Sequence, residues 1–247
     1  MRLMNKVAII TGGGKGIGKD IALAMAKDGA TIIVCSRTKS ELDNVVEQVK
    51  SFGGNAYAIA RDLTSSSQVT ELVTEVMERY NKIDILINNA GGYPSEMYAD
   101  GNRQPLKIWE WTEEKWDKII NTNLKTAFLC TCKVIPYMIE ANEGYIINIS
   151  SRMGRIASEM GAYAAAKSAL IALTKTTAIQ AEPYGIVVNA ISPGILDTPG
   201  QRHYNQSVNQ ESISMGTTDA VVKAVLYLLC DAPKTMIGQS LDLFKTV

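Results

Sequence analysis

Short apolar, β-branched runs alternate with longer stretches of helical periodicity along the whole chain. KVAIIT (6–11), TIIVCS (31–36), YIINISS (145–151), IVVNAISPG (186–194) and SLDLF (240–244) read as strands, as do runs within NAYAIARDL (55–63) and IDILINNAG (83–91). Between them, DIALAMAKDG, residues 40–51, SQVTELVTEVMERYN, residues 113–140, the stretch opening at Gly161 and DAVVKAVLYLLC carry helical spacing. Val69, Leu72, Val73 and Val76, for example, fall on one face. Parallel strands joined through helices form right-handed units, and a sheet of such units is covered on both faces. The alternation therefore predicts an α/β fold with a doubly wound parallel sheet. No repeat or linker-like shift divides the 247 residues, so one domain is expected.

Composition narrows the partners. Lys plus Arg and Asp plus Glu number 25 each, which gives no footprint for nucleic acid and no polybasic membrane patch. The apolar run near Met1 is too short to span a bilayer and runs into glycines without a cleavage pattern, so no signal peptide is read. Four cysteines without a CxxC pair point to a reducing, cytoplasmic setting rather than a disulfide framework. One histidine, His203, in the polar run QRHYNQSVNQ, reads as a surface loop residue, and no metal site is indicated.

TGGGKGIG (11–18) joins the first strand to the first helix. Gly12, Gly16 and Gly18 allow a tight turn and close backbone approach, with Ile17 between the last two, and the helix start behind them offers N–H groups to a pyrophosphate. The second strand ends Cys35-Ser36-Arg37, without the acid that usually holds the ribose hydroxyls of NAD. Arg37 can fork onto a 2′-phosphate, with Ser36 alongside and Lys15 adding a second positive charge, so NADP(H) is the expected cofactor. Farther on, GAYAAAKSAL places Tyr163 and Lys167 four residues apart, one turn apart on one helix face, among methyl-sized neighbours.

The glycine loop, NNAG (88–91), the ISS segment (149–151), YAAAK (163–167) and SPG (192–194), in that order, resemble the short-chain dehydrogenase/reductase family over nearly the whole chain. The resemblance implies a Rossmann domain carrying both cofactor and substrate sites, and a homotetramer or homodimer. It implies that Tyr163 exchanges a proton with the substrate oxygen, and that Lys167 lowers the phenol's pKa and reaches the nicotinamide ribose. A free phenol, with a pKa near 10, exchanges protons poorly at neutral pH, and a nearby ammonium favours its ionised form. Ser151 matches the serine that hydrogen-bonds the substrate oxygen, with Ser150 as competitor. Asn123 matches the asparagine that interrupts its helix and holds a relay water, with Asn121 as the second choice. Asp62 and Leu63 match positions at the adenine ring. Asn89, Ala90 and Gly91 match the cofactor lining, and Pro193, Gly194, Ile195 and Thr198 the segment at the carboxamide.

Two stretches depart from the family pattern. The loop between Gly91 and Asn123 is longer than in many members, and its Tyr93, Tyr98, Trp109 and Trp111 either wall a substrate pocket or else pack the loop down on itself or fill a subunit contact. The polar segment after Thr198, to Gly216, is a short lid, and the GQSLDLFKTV ending lacks the usual Gly-Gly. The nearest-looking subgroup is the 3-oxoacyl-acyl-carrier-protein reductases. Asn142 and Tyr184 stand where that subgroup has carrier-docking arginines, which favours a free small-molecule carbonyl or alcohol as substrate. Fatty-acid metabolism, a non-catalytic dinucleotide sensor and a lyase or isomerase are the alternatives.

Overall fold

The computed structural model describes residues 1–92, 105–207 and 215–244, apart from the side chains of 203, 204, 206 and 207. Strands β1 (Val7–Thr11), β2 (Thr31–Ser36), β3 (Asn55–Ala60), β4 (Ile85–Asn88), β5 (Gly144–Ile149), β6 (Ile186–Pro193) and β7 (Ser240–Leu243) form one parallel sheet in the order β3-β2-β1-β4-β5-β6-β7. The chain winds outward from β1 in one direction and returns to β4 on its other side, the doubly wound arrangement that the alternation predicts.

The period of two along β1 explains the two cores. Ala8 and Ile10 join one cluster, with Ile21 and Met25 of α1 (Gly16–Lys27), Leu42 and Val45 of α2 (Lys39–Ser51) and Val225 of α8 (Asp219–Cys230). Val7 and Ile9 join the opposite cluster, with Leu72 and Val76 of α3 (Ser66–Tyr80), Val134 of α5 (Thr126–Ala141) and Ala178 of α6 (Gly161–Ala181). Every residue of β1, β4 and β6 is buried, as a sheet covered on both faces requires.

The helix expected over 113–140 is continuous but changes pitch. It begins as α4 (Glu113–Ile120), capped by the Thr112 side chain, which accepts from the Lys115 N–H. It widens into a π-turn at Asn121–Lys125 and continues as α5. The segment after Thr198 begins as a helix, α7 (Pro199–Ser207). Proline suits a first helical position, and Thr198 Oγ1 accepts from the Gln201 N–H at 3.2 Å. His203 therefore lies on a helix rather than in a loop, and its side chain is outside the described residues, as are Tyr93, Tyr98 and 208–214.

A buried polar ladder ties the middle of the sheet to its helices. Asn88 Nδ2 donates to Asn148 Oδ1 at 2.8 Å and to Thr131 Oγ1 at 3.0 Å, and Asn148 Nδ2 donates to Thr174 Oγ1 at 2.8 Å. Thr174 in turn donates to the Leu170 carbonyl at 2.7 Å. Removing one hydroxyl from such a chain leaves a sealed donor without an acceptor. Thr174→Val is expected to cost about 1–3 kcal/mol in urea denaturation; an unchanged midpoint and slope would show that the ladder adds nothing.

Candidate active site

The carboxyl ends of the strands carry the candidate residues. Gly12 and Gly16 adopt positive φ, 63° and 53°, so the chain turns tightly from β1 into α1. A Cβ on Gly18 would lie 2.4 Å from the Gly12 carbonyl oxygen and 2.5 Å from Asn89 Nδ2, so only glycine lets α1 begin here. Thr11, which the motif reading passed over, staples this loop to the end of β4. Its Oγ1 donates to the Ile87 carbonyl at 3.2 Å and accepts from the N–H groups of Asn89 at 2.9 Å and Ala90 at 3.0 Å. Asn89 Nδ2 returns hydrogen bonds to the carbonyls of Thr11 and Gly12. The side chain of Asn89 thus shapes the loop. A threonine at the end of a strand gives no sequence signal for such a role.

At the end of β2, Ser36 Oγ is sealed from solvent without a hydrogen-bond partner, while Arg37 is exposed. Asp62 folds into a local turn, its Oδ1 accepting from the Thr64 N–H at 2.9 Å and hydroxyl at 2.8 Å. The Thr64 N–H, then its hydroxyl and the Arg37 charge, hold the Asp62 carboxyl below its ordinary range against the effect of burial. Arg37, Asp62, Thr64, Asn121 and Thr122 help line a cavity of about 400 Å³. Lys15 extends instead to Glu41, 2.9 Å from its Oε1, in an exposed pair. Leu63 is buried in the core beside α3. Ile17 packs partly against the other core. Thr198 overhangs the glycine loop, since a Cβ on Gly16 would sit 3.5 Å from its Cβ. Pro193 ends β6, Gly194 N–H donates to the Leu243 carbonyl at 3.3 Å, and the Ile195 carbonyl accepts from Gly216 at 2.9 Å. The glycine cradle and the partnerless Ser36 hydroxyl fit a dinucleotide.

The second half of the site gathers around α6. Lys167 is buried, and its Nζ donates to the Ile149 carbonyl at 2.9 Å and lies 5.7 Å from the centre of the Tyr163 ring. Burial pulls the Lys167 ammonium down from its ordinary 10.5 to about 8. The two serines divide their tasks. Ser150 Oγ donates to the Lys167 carbonyl at 2.8 Å, which turns it into the helix backbone. Ser151 Oγ accepts from the Met153 N–H at 3.2 Å, an interaction that leaves its own proton to donate. Asn123 lies in the π-turn, where Nδ2 donates to the Ile119 carbonyl at 3.1 Å and Oδ1 accepts from the Gly92 N–H at 2.8 Å. A Cβ on Gly91 would lie 2.6 Å from Asn123 Oδ1 and 3.5 Å from Lys167 Nζ, so these two side chains converge on the backbone of Gly91.

Trp111 packs within its own chain. Its indole donates to the Leu106 carbonyl at 3.2 Å, and its ring lies where a Cβ on Gly161 would come within 2.9 Å. With Trp116, edge-on at 6.3 Å, it packs against Met160, Ala162 and Tyr163, so it buttresses the first turn of α6. Trp109 is 79% exposed and does not share that packing.

Comparison with known proteins shows the family. A family model described as short chain dehydrogenase matches residues 6–209. The 3-oxoacyl-[acyl-carrier-protein] reductase FabG of Thermotoga maritima is 35% identical over 247 residues, covering 97% of this chain and 96% of the relative. The reductase of the same name from Staphylococcus epidermidis is 32% identical over 246 residues, with 96% and 97% covered. Among solved structures, levodione reductase superposes with a TM-score of 0.89 at 27% identity, covering 98% of this chain and 96% of that one. NAD+-bound xylitol dehydrogenase gives 0.87 at 28%, with 98% of each chain covered. The chain belongs to the short-chain dehydrogenase family, and its sequence is of the 3-oxoacyl-carrier-protein reductase-like kind. It is thereby an oxidoreductase of the carbonyl–alcohol class that uses a nicotinamide dinucleotide. Among the described residues, no helix is long and apolar enough to cross a membrane.

The buried ammonium gives a stability test. Its folded pKa of about 8 lies below the ordinary 10.5, so the folded protein carries a penalty for the charged form below pH 8. That penalty fades as the pH rises from 8 towards 10.5. Lys167→Met, measured by chemical denaturation without cofactor, is expected to be at least as stable as the parent at pH 7. The advantage should be at most about 3 kcal/mol and should shrink above pH 8. A deficit that stays constant with pH would mean that the ammonium is not under desolvation stress.

Proposed function

We propose that the chain is an NADP(H)-dependent oxidoreductase that interconverts a carbonyl and a secondary alcohol on a small molecule. Tyr163 is its proton donor and acceptor. The observation that carries the reading is the buried Lys167 ammonium held beside the Tyr163 ring on the same face of α6. The dinucleotide, when bound, supplies the hydride in reduction and takes it up in oxidation. In the reducing direction Ser151 donates a hydrogen bond to the substrate oxygen, which draws electron density away from the carbonyl carbon. The Tyr163 hydroxyl gives its proton to that oxygen as the alcohol forms, leaving a phenolate. Lys167 stabilises the phenolate through its charge. Asn123, with Oδ1 turned to the strand-end loop that also faces Lys167, supports the water that returns the proton. One domain carries both sites on this reading. The cytoplasm is its setting, in keeping with free thiols at Cys35, Cys130, Cys132 and Cys230, and the assembly is a homo-oligomer.

The preference for NADP(H) over NAD(H) is supported by the end of β2. Ser36 and the exposed Arg37 offer a hydroxyl and a fork of donors, and no carboxylate follows the strand. A second reading, 3-oxoacyl-carrier-protein reduction, is favoured by the names of the sequence relatives. Asn142 and Tyr184, the positions matched to that subgroup's carrier-docking arginines, bring no positive charge, but the structure does not put them at the mouth of the site. Asn142 precedes β5, and a Cβ on Gly185, the residue before β6, would lie 2.6 Å from the Asn142 carbonyl oxygen. Both positions thus lie at the amino ends of these strands, away from Ser151, which corrects the expectation that they border the site, and their missing charge does not weigh against a carrier there.

Tyr163→Phe should lower turnover of a reducible carbonyl by about 10²–10⁴-fold with the circular dichroism spectrum intact. Near-normal turnover would remove the tyrosine from the chemistry. In nicotinamide-fluorescence titrations, Arg37→Ala should weaken NADPH binding and leave NADH binding largely as it was. An equal loss for both cofactors would count against recognition of the 2′-phosphate.

A further inference from the structure

Two arginines border the short 3-10 turn that follows Ser151, and their surroundings differ. Arg155 is paired, with Nε 3.1 Å and 3.2 Å from the two carboxylate oxygens of Asp242. Arg152 pairs with no carboxylate among the described residues, and its Nε is sealed from solvent without an acceptor. A guanidinium stays charged under all ordinary conditions, so burial cannot be relieved by loss of its proton. A partly buried, unpaired cation costs free energy unless an anion completes it.

The backbone around Arg152 is held on every side. Ser151 Oγ accepts from the Met153 N–H, and the Gly154 N–H donates to the Ser151 carbonyl at 3.0 Å. Gly154 rests so closely on α6 that an added Cβ would lie 2.7 Å from the Lys167 carbonyl carbon, and Ser168 Oγ donates to the Gly154 carbonyl at 3.0 Å. The turn thus places Arg152, with Nε lacking an acceptor and the rest of the side chain partly exposed, one residue from Ser151, while Gly154 seats the turn on the helix that carries Tyr163 and Lys167. No acid of the RMGR turn itself is available to it.

We propose that Arg152 recognises the substrate, and that the substrate carries an oxyanion, a carboxylate or phosphate, near its carbonyl or alcohol carbon. The guanidinium holds the anion with paired N–H donors while Ser151 takes the reacting oxygen, which fixes which carbon faces the hydride. This inference rests on the carbonyl–alcohol reading above and narrows it to charged free metabolites rather than neutral carbonyls.

The test is a panel of oxo compounds in matched pairs, each free carboxylate or phosphate beside its neutral methyl ester or alcohol, assayed with NADPH. The wild-type enzyme should favour the anionic member, and Arg152→Gln should collapse the ratio of kcat/KM values by about 10–100-fold. The loss should appear in KM for the anion more than in kcat, and Arg152→Lys should restore part of it. Carboxylate pairs against phosphate pairs show which oxyanion fits. Equal use of both members by the wild type would overturn the proposal. So would an equal fall of both members in Arg152→Gln, because that is what a merely structural arginine would give. Absence of turnover with every pair would instead remove the carbonyl reading, and this inference with it.

Discussion

The Lys167 ammonium is buried under the carboxyl end of β5, with its hydrogen bond directed to the Ile149 carbonyl. Holding a charge there is unfavourable, and much of the local architecture serves to keep it in place. Ser150 ties the Lys167 carbonyl to the strand end, and Gly154 lets the following turn close onto the same backbone. Gly91 leaves room for the ammonium beside Asn123. The result is a cation that solvent cannot screen, next to a phenol one helical turn away. A lysine on the surface at the same spacing would do little to a tyrosine's proton affinity.

The parallel sheet makes this local arrangement into a site. Every strand of β1 to β6 ends on the same edge, so the glycine loop, Ser36 and Arg37, Asp62, Asn89, Ser151 and Pro193 gather there although they lie far apart in sequence. Thr11 and Asn89 knit the two strands on either side of the point where the winding reverses. The π-turn contributes by a different route. A wider turn brings Asn123 into the interior, and Thr122 Oγ1 donates to the Lys118 carbonyl in the preceding turn. Trp111 closes the other side, resting on Gly161 at the start of α6.

Much of this was legible before any coordinates, because strand period, helix period and glycine placement are local properties. All seven strands and the long helices fall where the alternation puts them. The glycine loop was readable because a tight turn demands small residues at fixed positions. What escaped was relational. Thr11 acts through a partner 78 residues away, and no local pattern announces that. The π-turn costs no change in residue type, so residues 113–140 look like one regular helix. The helix α7 lies in a polar run without an apolar stripe, and its start is set by Thr198 and Pro199. Trp111 was found as an aromatic, but whether it faced substrate or protein depended on Gly161. Arg152 differs from Arg155 in lacking a carboxylate partner such as Asp242, a distinction that exists only in three dimensions.

Ultraviolet difference titration of the tyrosines, comparing the parent protein with Tyr163→Phe, isolates the ionisation of a single phenol. The Lys167 ammonium gives up its own proton at about 8, so the two groups titrate as a pair: if it tunes Tyr163, part of that phenol ionises below pH 8, well under the ordinary value of about 10, and this part disappears when the same subtraction is made in the Lys167→Met background. A Tyr163 that ionises at the same pH with and without Lys167 would contradict the coupling on which the site is built.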